Sequence, residues 1–322
     1  MDKQINKLFA KAGIQIKKTS SLENEQQYFI RTIGALQELY SYRFQNGNMP
    51  FNEEILGLVF SKNRAMQLHA LLGSYFHYTK NSSQLKVLYT ATGEDYLMSY
   101  KNLQREFREF PVEFILETNF KNDVQSLVGK TSADRIFFMT DDAIFSRHYD
   151  LSDVLHFNPF NEIFSLRLGK DMGYSFAYQQ EQSLPDFQQD DAGQLKTYSW
   201  IWGDMKESPD WCYPLSLDGT FFGTNEIAII LNFIDFKNPN SLEASLQLFN
   251  SIFLLRKGIC YENAKYVNIP CNIVQQDFKN IYTGAFDVAE LLALFMAGKR
   301  IDWLQYAGNH PKEIQQSKFT FT

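Results

Sequence analysis

Short apolar runs alternate with helical segments between residue 54 and about residue 140, and this alternation constrains the fold more than any other feature of the chain. Strands are predicted at 54–60, 85–92, 112–118 and 135–140, and each is followed by a helical segment or a turn. The short helix after the third strand is expected to be capped by Asn122. Strand and helix in this order are typical of a parallel sheet with right-handed crossovers. We therefore predict an α/β fold with a mostly parallel central sheet flanked by helices, whose ligands bind beyond the carboxyl ends of the strands.

This pattern lies within the larger of two predicted regions. Residues 1–50 are predicted to form a helical N-terminal extension, and residues 51–322 a single domain that becomes mixed, with antiparallel strands, beyond residue 150. The extension starts with five basic residues, which permit contact with anionic lipid, although a solvated helix face is the alternative: Lys3, Lys7, Lys11, Lys17 and Lys18.

The overall charge excludes one function class. The 322 residues include 31 Lys and Arg against 37 Asp and Glu, a net charge of -6, which is the wrong sign for a protein that neutralises nucleic-acid phosphates. We find neither a signal peptide nor an apolar run of about 20 residues, and the three cysteines form no CxxC pair. We expect a cytoplasmic protein, with peripheral contact at the inner face of a membrane as an open possibility.

The sharpest local pattern is a pair of acids directly after the fourth strand. Asp141 and Asp142 would enter the ligand-binding crevice, where two carboxylates favour Mg²⁺ or Mn²⁺ and the oxygens of a diphosphate. Because side chains alternate along a strand, Asp142 would share a face with Thr140 and is the best single metal ligand. The alternative is an acidic turn with no ligand.

The order of several motifs resembles a known family. The segments VFSKNRAMQLHALLGSYF, LKVLYTAT and RIFFMTDDAIF, followed by SLRLGKD, YSWIWGD, DWCYPLSLDG, NPNSLE and GKRIDW, resemble nucleotide-sugar-dependent glycosyltransferases of the GT-A fold, in particular a bacterial glycan-assembly subgroup. The resemblance covers about residues 54 to 312. It implies a nucleotide-sugar half at 51–150 and an acceptor half with C-terminal helices at 151–322. It also implies transfer from a nucleoside diphosphate sugar, such as a UDP- or GDP-sugar, to a glycan or lipid-linked acceptor in bacterial surface polysaccharide synthesis.

The resemblance also implies roles for individual residues. The strand-end acids correspond to a DxD motif that binds the diphosphate and a divalent metal, Mn²⁺ or Mg²⁺, with His310 as a further metal ligand. The subgroup would be expected to read DDD where this chain has Ala143, so weak or absent metal binding stays open. The remaining nucleotide-sugar contacts would be Ser61, Lys62, Asn63, Arg64 and Asp95.

A third group of candidates lies in the acceptor half. In an inverting enzyme Asp218, followed by the turn residue Gly219, would be the base that takes the proton of the acceptor hydroxyl. Asp210 and Glu226 are the alternates, and a carboxylate that only bonds its own turn is the non-catalytic interpretation. Aromatic residues make up 16% of the chain, and those of the acceptor half could stack on a sugar or fill the core: Tyr198, Trp200, Trp202, Trp211 and Tyr213, with Trp211, Tyr213 and Trp202 as the acceptor contacts.

Two rival functions are compatible with the same residues. A sugar nucleotidyltransferase also binds Mg²⁺ with acids at strand ends, but LVFSKNRAM lacks the glycine-rich phosphate loop expected after its first strand. A non-catalytic glycan-binding protein on a degenerate GT-A scaffold is the other rival, because Ala143 interrupts the acidic triplet.

Overall fold

The computed structural model describes residues 19–192, 195–269, 286–312 and 320–322. The helices are α1 (Thr19–Asn46), α2 (Ala65–Tyr78), α3 (Glu94–Glu106), α4 (Phe120–Gly129), α5 (Thr224–Phe233), α6 (Pro239–Leu246), α7 (Asn250–Phe253) and α8 (Val288–Met296). Short 3-10 helices lie at Leu151–His156, Trp202–Asp204, Gln247–Phe249 and Trp303–Tyr306. The strands are β1 (Ile55–Lys62), β2 (Thr79–Lys80), β3 (Leu85–Thr90), β4 (Val112–Leu116), β5 (Arg135–Thr140), β6 (Ala143–Phe145), β7 (Tyr149–Asp150), β8 (Glu162–Ser165), β9 (Tyr174–Ser175), β10 (Gln180–Glu181), β11 (Gln188–Ala192), β12 (Leu195–Ile201), β13 (Phe221–Gly223), β14 (Lys257–Cys260) and β15 (Tyr266–Asn268).

The central sheet has the strand order β13-β5-β1-β3-β4. The pairs β5–β1, β1–β3 and β3–β4 are parallel, and only β13 at the edge runs antiparallel to its neighbour β5. Gly57 at the centre of β1 lets the neighbouring side chains approach, since a Cβ there would lie 2.3 Å from Leu85 and 2.7 Å from Phe137. The predicted α/β fold with a mostly parallel sheet is confirmed.

Each face of the central sheet is covered by its own apolar core. Alternate residues of the strands point to opposite faces, so that Val59 and Phe137 belong to one core while Leu58 and Phe138 belong to the other. A second sheet with the order β11-β12-β14-β8 contributes to the packing beyond residue 150. Its strands pair antiparallel except for β14 and β8, as expected for the mixed second half.

Two local expectations are corrected by the structure. Helix α4 begins one turn earlier than predicted, and Asn119 is its cap, because the Asn119 side chain accepts a hydrogen bond from the backbone N–H of Asn122 at 3.0 Å. Strand β5 ends at Thr140, and the chain turns at residues 141–142 before β6 begins at Ala143. The two acids are therefore turn residues at the strand end rather than a continuation of the strand.

Helix α1 forms the described part of the N-terminal extension and packs against α5. Tyr42 accepts a hydrogen bond from Asn225 at 3.0 Å, and Arg31 forms an exposed ion pair with Asp235 at 2.7 Å. The opposite side of α1 leaves large apolar side chains exposed, including Phe29, Ile30, Tyr40 and Phe44. The five lysines of residues 1–18, for which contact with anionic lipid is an expectation, lie outside the described residues. Across the described ranges, no helix combines the length and apolar composition needed to cross a membrane.

Candidate functional site

The carboxyl ends of β1 and β5 meet where the sequence predicted ligand binding. These strands are paired so that Phe60 is opposite Thr140, and the residues that follow face each other. Ser61 donates its hydroxyl to Oδ2 of Asp141 at 2.8 Å, and Nη1 of Arg64 lies 3.0 Å from Oδ1 of the same carboxylate. The structure thus joins the predicted nucleotide loop and the predicted acidic motif into one site.

Asp141 is buried among these partners. Its exposed fraction is 3%, and the backbone N–H of Lys62 approaches Oδ2 at 3.4 Å. Burial raises the pKa of Asp141 to about 6, although the neighbouring Arg64 guanidinium favours the charged form and offsets part of that rise. With each oxygen already engaged by a donor, Asp141 organises the loop more than it offers a free ligand atom.

Asp142 is the more accessible of the two acids. The Thr140 hydroxyl donates to its Oδ1 at 2.7 Å, and Oδ2 lies 3.8 Å from Nη1 of Arg64. The side chain keeps 14% of its surface exposed against 4% for Asp141. Of the two acids, Asp142 is the one that a ligand can reach.

Asp218 lies across the end of β5 on a turn held by backbone contacts. Gly219 has a φ of +59°, and a Cβ there would lie 2.4 Å from the ring of Tyr266. The N–H of Gly219 donates to the carbonyl of Phe138 at 2.8 Å, which fixes the turn against the strand. The expected glycine-dependent turn at this position is therefore present.

Asp218 contacts the same hydroxyl that Asp142 contacts. Its Oδ1 accepts a hydrogen bond from Nδ2 of Asn268 at 2.9 Å and lies 3.3 Å from Oγ1 of Thr140. Burial raises the pKa of Asp218, with Asp142 adding to the rise, while Arg167 and the hydrogen bonds oppose it. A carboxylate whose pKa is raised accepts a proton more readily than one with an ordinary pKa.

Glu243 of α6 completes the acidic side of the site. Its Oε1 accepts from the backbone N–H of Leu217 at 3.0 Å, next to Asp218 in the chain. Burial raises the pKa of Glu243 to about 7, and the charge of Asp218 adds to that rise. Tyr213 belongs to the same surroundings, since burial raises the pKa of its phenol and the charges of Glu243 and Asp218 raise it further.

The two alternate bases are committed to ion pairs. Asp210 is buried, 3.0 Å from Nη1 of Arg167, and accepts from Nε2 of Gln182 at 3.0 Å. Glu226 is 1% exposed, and Arg256 donates to both of its oxygens at 3.0 and 3.1 Å. Both carboxylates are buried, at 7 and 1% exposure, so they belong to the interior.

Two of the three expected acceptor contacts are core residues. Trp202 and Trp211 are 1% and 0% exposed, and Nε1 of Trp211 donates to the carbonyl of Met172 at 3.2 Å. An indole without exposed surface has no face to offer a sugar, and the non-functional interpretation of the tryptophan-rich segment applies to Trp200 as well, at 5% exposure. Tyr213 alone among the three keeps part of its side chain accessible beside Asp218.

The remaining nucleotide-loop candidates occupy the crevice edge. Asn63 has a φ of +57° and exchanges two hydrogen bonds with Thr92, from Nδ2 to the hydroxyl at 2.7 Å and from the Thr92 N–H to Oδ1 at 2.9 Å. It thus ties the end of β1 to the residues that follow β3. Lys62 is exposed at the same edge, and Asp95 is exposed in the first turn of α3.

His310 is not brought to the acidic pair. It is exposed, and its Nδ1 accepts from the N–H of Lys312 at 3.2 Å, while Arg147 holds the carbonyls of Gly308 and Asn309 at 3.1 and 3.0 Å. In the part of the chain that the structure describes, no three His, Cys, Asp or Glu side chains cluster closely enough to form a metal centre. Of the two acids at this strand end, Asp142 is the accessible carboxylate that could hold a divalent metal ion.

Sequence reasoning missed three residues of the site. Arg167 and Glu243 lie within the motifs SLRLGKD and NPNSLE, which carried the resemblance, so their position in these motifs was an available signal. Asn268 follows no recognisable motif. Its contact with Asp218 depends on β15, which pairs with β6 across more than a hundred residues of chain.

Comparison with known proteins adds a relative for most of the chain. No protein-family model matches it. The bifunctional glycosyltransferase pgtA of Dictyostelium discoideum is 26% identical over 287 aligned positions, in a match that covers 78% of this chain and 36% of that protein. The chain thus spans about a third of the length of this curated relative. The relative confirms the resemblance to glycosyltransferases that the motifs indicated.

Solved structures resemble the fold only loosely. TarS of S. aureus is 15% identical with a TM-score of 0.40, over 66% of this chain and 36% of that chain. The bifunctional glycosyltransferase WbbM is 13% identical with a TM-score of 0.37, over 78% and 45%. A nucleotidyl transferase of Methanothermobacter is 9% identical with a TM-score of 0.37, over 66% and 89%. TM-scores of this size carry no information about activity.

Proposed function

We propose that the chain is a glycosyltransferase of the GT-A type that moves a sugar from a nucleoside diphosphate sugar to a hydroxyl of a glycan or lipid-linked acceptor. One observation carries the proposal. Asp142 and Asp218 approach the same Thr140 hydroxyl, at 2.7 and 3.3 Å, so a donor-side acid and an acceptor-side acid flank the end of one strand. This arrangement suits an inverting transfer, in which one acid lies on the diphosphate side and the other takes the proton of the acceptor hydroxyl.

On the donor side, the loop after β1 would hold the nucleotide. Ser61 and Arg64 are held by Asp141, so the loop keeps its shape before ligand binding. Lys62 and Asp95 line the same edge and supply further polar contacts. Asp142, with Asp141 behind it, would hold a Mn²⁺ or Mg²⁺ ion that, when bound, offsets the charge of the departing diphosphate.

On the acceptor side, Asp218 would act as the base in an inverting transfer. The acceptor hydroxyl gives its proton to the Asp218 carboxylate, its oxygen forms the bond to the anomeric carbon, and the bond from that carbon to the diphosphate oxygen breaks. Asn268 orients the carboxylate, since its amide donates to Oδ1 at 2.9 Å and leaves Oδ2 for the proton. Tyr213 supplies an aromatic surface next to this position.

The test is an assay of sugar transfer and donor hydrolysis across a panel of UDP- and GDP-sugars, each with Mn²⁺ and with EDTA. We expect turnover of at least one donor and a decrease in EDTA. A non-catalytic glycan-binding protein is the second candidate, favoured by Ala143, which is buried in β6 and offers no oxygen at the third position of the acidic motif. Calorimetry distinguishes the two: glycan binding without metal-dependent affinity for UDP or GDP would support the binding protein.

We also propose peripheral membrane contact through the N-terminal extension of a cytoplasmic protein that acts in surface polysaccharide synthesis. The support is the exposed apolar side of α1, where Phe29, Ile30 and Phe44 keep 65, 66 and 83% of their surface, together with the five lysines of residues 1–18. Flotation with vesicles of anionic lipid tests it. Binding that falls with salt and with Phe44→Ser supports the contact, and equal recovery with neutral vesicles contradicts the role of the lysines.

A further inference from the structure

One side of helix α6 holds the loop that leads to Asp218. Glu243 accepts from the N–H of Leu217 at 3.0 Å, and Nε2 of Gln247, one turn further on, donates to the carbonyl of Leu215 at 3.0 Å. The helix start is itself fixed by a capping box, in which the Asn238 side chain accepts from the N–H of Ser241 at 2.8 Å. Loop residues 215–217 are therefore attached to a rigid element.

These contacts provide hydrogen-bond partners for backbone groups of the loop that solvent water cannot reach. Leu215 and Leu217 are 0 and 2% exposed, so their amide groups depend on protein partners. A carboxyl oxygen accepts a hydrogen bond in either protonation state, which suits the Glu243 side chain for the Leu217 N–H. Because Leu217 immediately precedes Asp218, any movement of this amide also moves the base.

The charge of Glu243 acts on the same residue. Burial and the neighbouring Asp218 both favour the neutral form of Glu243, whose pKa rises to about 7. Arg167 balances part of this negative charge, since it interacts with both carboxylates as well as pairing with Asp210. Glu243 is thus coupled to Asp218 through the backbone and through space.

We propose that Glu243 is a positioning residue for Asp218. It holds the Leu217 amide and so directs the next carboxylate toward Thr140, Asn268 and the acceptor hydroxyl. This inference rests on the proposed function of Asp218 as the base, and it assigns Glu243 no contact with the donor.

Two substitutions separate this role from a general loss of packing. Glu243→Gln keeps an oxygen for the Leu217 N–H, and we expect kcat to stay within about threefold of the wild type. Glu243→Ala removes the acceptor, and we expect kcat to fall about tenfold or more while the affinity for the nucleotide diphosphate, measured by calorimetry, stays unchanged. Should the alanine variant fail to fold, Glu243→Asp withdraws the carboxylate by one methylene, and we expect the same fall.

A double-mutant cycle with Asp218→Asn completes the test. If Glu243 acts through Asp218, the alanine substitution has little further effect on kcat in the Asp218→Asn background. Additive effects, a parallel loss of nucleotide affinity, or equal kcat for Glu243→Ala and the wild type would each overturn the inference. A wild-type protein that transfers no sugar from any donor would instead reject the proposed function, so the two failures are distinguishable.

Discussion

The Thr140 hydroxyl donates to Oδ1 of Asp142 at 2.7 Å, at the last residue of a buried strand. The same hydroxyl lies 3.3 Å from Oδ1 of Asp218, which reaches the strand end from a turn 78 residues further along the chain. The proposed donor-side acid, Asp142, and the proposed acceptor-side acid, Asp218, therefore both contact the last residue of β5.

Replacing Asp218 by Asn should abolish most transfer while sparing donor binding. The amide cannot take a proton from the acceptor, so we expect kcat to fall by about 10²–10⁴-fold. Steady-state kinetics and calorimetry with the nucleotide diphosphate provide the measurements. Asp186→Asn, at an exposed acid of the same half, is the control. A kcat for Asp218→Asn equal to that of the control would contradict the assignment.

Replacing Asp142 by Asn should uncouple metal and nucleotide binding. Because one accessible carboxylate holds an ion weakly without ligand oxygens, we expect Mn²⁺ and the nucleotide diphosphate to strengthen each other's binding in the wild type. In the variant we expect this mutual effect to be lost. Calorimetric titration of each ligand with and without the other measures it, and an identical Mn²⁺ effect in both proteins would rule out Asp142 as the ligand.

Replacing Gly219 by Ala should destabilise the protein. The φ of +59° and the ring of Tyr266, 2.4 Å from an added Cβ, both oppose a side chain here. We expect a loss of about 1–3 kcal/mol in the free energy of unfolding. Gly129→Ala is the matched control, since a Cβ at Gly129 meets nothing within 4 Å. Denaturant unfolding of both variants checks the difference, which equal stabilities would disprove.

Replacing Glu226 by Gln should cost far more stability than replacing Asp235 by Asn. Glu226 and Arg256 form an ion pair whose side chains are 1 and 3% exposed, and Glu226 forms a second one with Arg43, so the variant leaves a buried guanidinium without its counter-charge. We expect a loss of roughly 3–5 kcal/mol. Asp235 forms exposed pairs with Arg31 and with Lys121, and each of these pairs should contribute no more than about 1 kcal/mol. If urea titrations gave comparable losses of stability for Glu226→Gln and Asp235→Asn, burial of the Glu226–Arg256 pair would not be the cause of the loss.

Acid should destabilise the protein through His69. Burial lowers the pKa of this side chain from 6.5 to about 4, although Glu106 favours the charged form. A depressed folded-state pKa means that the stabilisation is present above pH 6.5 and is lost as the pH falls toward 4, by roughly 3 kcal/mol in total. The free energy of unfolding of the wild type relative to His69→Gln should therefore fall across this range. A difference that is constant with pH would contradict the prediction.

Local pattern was sufficient for the four parallel strands of the central sheet, but not for its antiparallel edge strand β13. The apolar run RIFFMT predicted β5 at the bounds that the structure has, because a strand buried on both faces needs apolar residues throughout. The cap of α4 was predicted three residues late, since Asn119 and Asn122 are equally good caps by composition and only backbone geometry distinguishes them. The burial of Trp211 could not be predicted from the sequence either, because an aromatic residue suits both a core and a sugar-binding surface.

The sequence by itself determined the α/β class, the acids at the end of β5 and the glycine turn beside Asp218, because each depends on residues that are neighbours in the chain. Tertiary structure alone decided that Asp142 is the accessible acid, that Asp210 and Glu226 are committed to buried arginines, and that Glu243 holds the loop before Asp218. These outcomes depend on burial and on contacts between distant segments. Desolvation and ion pairing determine whether a carboxylate is charged and whether a ligand can contact it. Neither desolvation nor pairing can be inferred from the position of the residue in the chain.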